Sequence, residues 1–185
     1  MHEELLRTKL YAPSVRTNLV PRPELIKRLN VGIQHGARLT LIAAPAGYGK
    51  TTLLAEWISQ SEIPFCWLSL DKQDNDPGRF LSYFTASLQS INIEVDEKVS
   101  AGLLSPQLDN YEVLLISLIN QISAKKSSFA LILDDYHLIE SQEVHRMLTF
   151  LLENHPQQMH LVIAALQCLT QFSPGSLKPL ASVCF

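Results

Sequence analysis

Cysteine is scarce in this sequence, and so is net charge. The three cysteines among 185 residues, Cys66, Cys168 and Cys184, are odd in number and lack the paired spacing of metal ligands. That argues against a disulfide framework or a zinc site and fits a reducing compartment. A formal charge of −3 leaves no bulk electrostatic footprint for a polyanion, so direct DNA binding by this segment has no support. Long hydrophobic runs are also missing: none approaches the ~18 residues of a membrane span. The opening MHEELLRTKLYAP is charged and broken by Pro13, without the apolar stretch of a signal peptide. The expected location is cytoplasmic, with no membrane partner. No internal repeat or low-complexity segment is visible.

What is present is an ordinary folding composition, 46% hydrophobic and 18% charged, in a chain long enough for one domain. Residues 1–17 hold scattered apolar positions and read as an extended lead-in that lies across a neighbouring surface. Pro23 suits a first helical turn, and Leu25, Ile26 and Leu29 then share a face, predicting a helix over residues 23–33. RLTLIAAP reads as a strand buried on both faces, followed at once by a glycine turn and a helix carrying Leu53, Leu54, Trp57 and Ile58. PFCWLSLD is a second buried strand, with Trp67 in the core. It runs through polar DKQDNDPG into a helix over residues 79–91.

A further helix is expected over residues 111–123. SSFALILDDYHLI then gives a third strand ending in acids, SQEVHRMLTFLLENH a helix opened by a Ser141 cap, and MHLVIAAL a fourth strand. The last stretch, residues 166–185, loses periodicity. Strands alternating with helices predict an α/β fold of the P-loop NTPase type, three layers around a mainly parallel sheet, incomplete at its C-terminal side.

Two motifs carry chemistry. Backbone N–H groups around glycines, with the N-terminus of the next helix, make a positive cradle for phosphates. Reading G-x-x-x-x-G-K-[ST] onto residues 44–51 matches Gly49, Lys50 and Thr51, with Ala44 in place of the first glycine and Gly47 inside the loop. Lys50 is assigned to the β- and γ-phosphates, Thr51 to Mg²⁺ and Thr52 to a further phosphate contact. Ala46, Gly47, Tyr48 and Gly49 form the loop that surrounds the nucleotide, ATP or ADP. A glycine turn that binds nothing is the alternative for this motif alone.

The second motif is the apolar strand ending in Asp134 and Asp135. Asp134 is assigned to Mg²⁺ through water and Asp135 to orienting the attacking water, against the alternative of acids capping a turn. Both motifs sit at carboxyl ends of expected strands, where open parallel sheets bind ligands. Asp71, Asp74, Asp76 and Arg79 follow the second strand and read, taken alone, as a solvated turn and helix start rather than a site. His137 reads as a surface or core residue, within reach of the phosphate side.

In their order, TKLYAP, RTNLVPRPELIKRL, APAGYGKTTLLAEW, WLSLDKQDNDPGRFLSYF and LILDDYHLI resemble the MalT-like regulators. These are large ATP-binding LuxR-family transcription activators of the STAND class. The resemblance covers residues 8–164. It implies an ATP-dependent switch, ADP-bound at rest, then ATP-bound and oligomeric when active, with slow hydrolysis resetting it. It also implies that Val20, Pro21 and Arg22 lie near the base, and it raises the functional standing of residues 71–79. Ala44 fits the MalT-like form of the loop.

The family carries a Ser/Thr-Arg pair after its fourth strand, where this chain has Ala165 and Leu166. Codons for SPGSL at residues 173–177 can be chosen that spell a family-like Pro-Leu-Ala-Arg-Leu one base out of frame, which motivates the expectation of a frameshift near Ala165. The expected organisation is an extended segment over residues 1–22, a nucleotide-binding domain over 23–165 and an aberrant tail over 166–185. Sensor and DNA-binding modules are then absent, and partners are the nucleotide, further copies of the chain or full-length family members. A free-standing P-loop ATPase or kinase, and a non-catalytic or decayed fragment, remain open alternatives.

Overall fold

The computed structural model describes residues 5–15, 20–96, 99, 111–167 and 180–184. The expected codon coincidence at residues 173–177 lies outside them. Among these residues, five strands form one parallel sheet: β1 (Leu39–Ala43), β2 (Phe65–Ser69), β3 (Phe129–Asp134), β4 (Met159–Ala165) and β5 (Leu180–Cys184), in the order β2-β3-β4-β1-β5. The sequence gives no element in the final stretch, yet five residues there pair with β1 from Leu39↔Leu180 to Ala43↔Cys184. Their run is short and rich in small side chains, a weak strand signal that pairing with a neighbour overrides.

Among the described residues, five helices flank the sheet: α1 (Pro23–Gln34), α2 (Lys50–Ser59), α3 (Pro77–Gln89), α4 (Tyr111–Ala124) and α5 (Gln142–Glu153). Side chains alternate across a strand, so each central strand feeds two cores. Leu131 and Leu133 of β3 join Phe80, Phe84, Leu118, Leu148 and Leu152 from α3, α4 and α5. Ala130 and Ile132 face the other way, among Ile26 and Leu29 of α1 and Leu53, Leu54 and Trp57 of α2. Every residue of β1, β3 and β4 is buried, as near-continuous apolar runs in a sheet covered on both faces require. Thr40 and His160, the polar members of β1 and β4, hydrogen-bond each other at 2.9 Å.

Two local readings change. Ser141 stands at the N-cap of α5 but makes no capping bond through its side chain. Asn75, from the turn after β2, takes over: its Oδ1 accepts from the N–H groups of Glu140 and Ser141 at 2.6 and 2.7 Å, and its Nδ2 donates to the Leu138 carbonyl at 2.9 Å. The acidic stretch after β2 is the expected turn and helix start, but it is not solvated throughout. Asp71 and Asp74 cap the 3₁₀ turn Lys72–Asn75 reciprocally, Asp76 caps α3, and the Asp74 side chain is completely buried.

The lead-in lies across this domain's own surface. A 3₁₀ turn over Arg7–Leu10 packs beside β2, with Leu5 and Leu10 against one core and Ala12 against the other. It thereby crosses β2, the outer strand of the sheet among the described residues, on which an open edge would offer unpaired backbone groups.

Candidate functional site

The carboxyl ends of β1, β3 and β4 converge on a cavity of about 530 Å³. Its wall includes Ala46, Gly47, Gly49, Lys50, Thr51 and Thr52 from the glycine loop, Asp135 and His137 from beyond β3, and Leu166 from beyond β4. Pro13, Ser14 and Val15 of the lead-in line it as well.

The loop's shape follows from its residues. Ala44 still belongs to the sheet, its N–H donating to the Ala165 carbonyl at 3.3 Å. It is not among the positive-φ residues, so alanine satisfies a position where the motif names glycine. Gly47 and Gly49 do need their residue type, with φ of 82° and 76° in the left-handed region that side chains disfavour. Gly49 is the N-cap of α2, which starts at Lys50, so the loop delivers the free N–H groups of a helix start to the cavity.

The Lys50 side chain is buried along the loop, and its ammonium donates to the carbonyls of Ala44 and Pro45 at 2.8 and 3.2 Å. An ammonium carries three protons, so a further donor is available beyond these two bonds. Thr51 Oγ1 donates to Asp134 Oδ2 at 2.8 Å, joining the two motifs across 83 residues of sequence. Asp134 is 2% exposed, and its other oxygen accepts from the Asp135 N–H at 3.1 Å. Burial is the main cause that pushes its carboxyl up to about 6; the nearby Asp135 charge adds to this, while the Thr51 hydroxyl works against it.

A hydroxyl and a buried carboxylate side by side, next to a helix start, are the donor set that Mg²⁺ takes when phosphates complete its shell. Among the described residues no group of three or more His, Cys, Asp or Glu could hold a metal alone. The residues present therefore fit Mg²⁺ held jointly with phosphate.

Asp135 opens the turn after β3 at φ 57°, a left-handed conformation in a non-glycine residue, and this swings its half-exposed carboxylate towards the cavity. His137 Nδ1 stands 3.8 Å from that carboxylate. The sequence favours a surface or core position for this histidine over a phosphate-side one; the 3₁₀ turn Tyr136–Leu138 brings it to the cavity wall.

Arg22 sits under the loop rather than in the cavity: Nη1 donates to the Tyr48 carbonyl at 2.7 Å, and its guanidinium lies 3.6 Å from where a Cβ on Gly49 would be. Val20 is 82% exposed, and Pro21 borders a separate depression beside α1. None of the three is among the described residues lining the cavity.

No family model matches the sequence. Curated proteins do: the HTH-type transcriptional regulator MalT of Yersinia enterocolitica is 36% identical over 160 residues, and that of Yersinia pestis likewise. In each case the match takes in 86% of this chain and 17% of the relative. Among solved structures, a STAND protein with a tetratricopeptide repeat sensor from Pyrococcus horikoshii superposes over 94% of this chain and 24% of its own, with TM-score 0.58 and 19% identity. Cdc6p from Pyrobaculum aerophilum superposes over 95% and 47%, with TM-score 0.60 and 14% identity. The Walker-type ATPase of Pyrococcus abyssi does so over 94% and 56%, with TM-score 0.56 and 12% identity. At such identities these structures speak for the P-loop ATPase fold alone. With that fold and the 36% identity together, the chain is a MalT-like P-loop ATPase portion, matching a stretch that makes up 17% of those regulators' length.

Proposed function

We propose that this domain binds ATP or ADP with Mg²⁺ and serves as the nucleotide-dependent switch of a MalT-like transcriptional regulator. The observation that carries the reading is the Thr51–Asp134 hydrogen bond at 2.8 Å, which sets a metal-side pair at the start of α2 beside Lys50. In this reading the N–H groups of residues 46–51 cradle the phosphates and the Lys50 ammonium turns from its loop carbonyls to phosphate oxygens. Thr51 and Asp134 hold Mg²⁺, which when bound neutralises phosphate charge. Asp135 accepts a proton from, and orients, a water at the phosphate end, with His137 at its flank.

Hydrolysis is expected to be slow. Phosphoryl transfer depends on cations placed around the γ-phosphate, and Leu166, the position after β4 that faces the cavity, brings an apolar side chain. A domain that holds nucleotide longer than it consumes it suits a switch. The partners proposed are other copies of this chain or of full-length relatives, joined in the ATP-bound form. No helix among the described residues is long and apolar enough to cross a membrane, and a cytoplasmic location is part of this reading.

Thermal unfolding in the presence of nucleotide tests it, because a ligand that binds only the native state must stabilise it, by about 2.7 kcal/mol at one hundred times its dissociation constant. ATP and ADP with Mg²⁺ are expected to raise Tm, and Lys50→Ala to remove most of the shift. Equal shifts in both proteins would sink the assigned site. Steady phosphoryl transfer to a small metabolite would replace the switch with a kinase.

A further inference from the structure

The lead-in does two things that its sequence does not announce. At Lys9 it is anchored: the ammonium is buried, donates to Asp71 Oδ2 at 2.9 Å and to Asp74 Oδ2, and lies 4.3 Å over the Tyr83 ring. Leu6 N–H donates to the Tyr83 hydroxyl at 3.0 Å, adding a backbone bond to the same anchor. Four residues further on, within about 14 Å of extended chain, Pro13, Ser14 and Val15 form part of the wall of the cavity that contains Lys50 and Thr51. Between the two, Leu10 and Ala12 pack on opposite faces of the sheet, so the segment is a strap drawn over the β2 edge.

A buried ion pair is poor evidence for stability in itself, since desolvation offsets much of the attraction, but it does fix one register. The Lys9 anchor fixes the register of a strap whose far end is cavity wall. We propose that Lys9 is a positioning residue for the nucleotide site: by tying the strap to Asp71 and Asp74, it holds Pro13, Ser14 and Val15 against the cavity and so slows the departure of bound nucleotide. This rests on the nucleotide-binding reading above. A strap released at Lys9 leaves the phosphate loop intact but opens one side of the site, so the effect falls on dissociation more than on association.

The test is stopped-flow dissociation of a fluorescent ADP analogue chased with ADP, with thermal unfolding of each nucleotide-free protein alongside. Lys9→Met is expected to raise the dissociation rate about tenfold while changing the association rate far less. Because this variant leaves the buried Asp74 charge without its nearest cation, the double variant Lys9→Met/Asp74→Asn is measured with it. That pair removes both charges and is expected to recover thermal stability while keeping the fast dissociation. A purely structural role would bring the rate back together with the stability. Dissociation from the double variant within twofold of the parent therefore overturns the strap proposal, while failure of the parent chain to bind the analogue at all overturns the nucleotide reading and this inference with it.

Discussion

At the scale of single residues, Asp134 carries the sharpest electrostatic consequence. Its folded carboxyl is pushed up to about 6 from an ordinary 3.8, so the folded state holds a proton more tightly than the unfolded chain between those values. Stability contributed by this group is complete below the unfolded value and is lost as pH rises through the folded one. A shift of about two units corresponds to at most about 3 kcal/mol. Asp134→Asn should therefore make the nucleotide-free protein more stable than the parent at pH 7.5 by up to about 3 kcal/mol. The gain should vanish near pH 4 in urea denaturation followed over that range. Asp71 runs the other way: although partial burial opposes it, the Lys9 ammonium and the Gln73 N–H hold its carboxyl below the ordinary range. The same Asp134→Asn change is expected to weaken Mg²⁺-dependent nucleotide binding, an opposition of stability and function common where a buried charge is kept for a ligand.

At the scale of elements, periodicity announces the four strands ending in or leading to the site and the helices between them, because buried parallel strands read as unbroken apolar runs. The P-loop and the paired acids are legible for the same reason: their chemistry is local. What is not legible depends on contacts distant in sequence. Lys9 looks like any surface lysine until Asp71 and Asp74 arrive from beyond β2, and Asp74 looks solvated until Lys9 covers it. Asn75 looks like one more turn residue, yet it ties the turn after β2 to the segment just beyond Asp135 and His137 through three hydrogen bonds. Asn75→Ala removes all three and is expected to cost about 1–3 kcal/mol of stability, read from the urea midpoint at unchanged slope. Nucleotide affinity should fall less than in Lys50→Ala, since Asn75 touches the loop that carries Asp135 and not the phosphate cradle.

At the scale of the whole molecule, one sheet divides two cores, and the tryptophans sit on the side shared by α1 and α2. Trp57 and Trp67 are buried almost completely, so their emission reports the packing of that side alone. Because β1, β3 and β4 present side chains to both cores, neither should survive loss of the other. Tryptophan fluorescence and far-ultraviolet circular dichroism are expected to give coincident unfolding curves. An earlier fluorescence transition would show the α1–α2 side melting by itself. The fold is shared with larger ATPases, and the regulators to which this chain is similar are about six times its matched length, so in the proposed reading this site serves a much larger protein.

The strand order also governs when the site can come into being. β1, which carries the phosphate loop, has no partner nearby in the chain: its neighbours are β4 and β5, and Thr40 meets His160 across 120 residues. Non-local pairing of this kind must meet the entropy of closing a long loop before any contact rewards it, which makes folding slow. Since β1 and its glycine loop precede β4 in the chain, the sheet around the loop cannot close before β4 is present. The cradle for phosphate is thus made before the strand that gives it its place in the sheet.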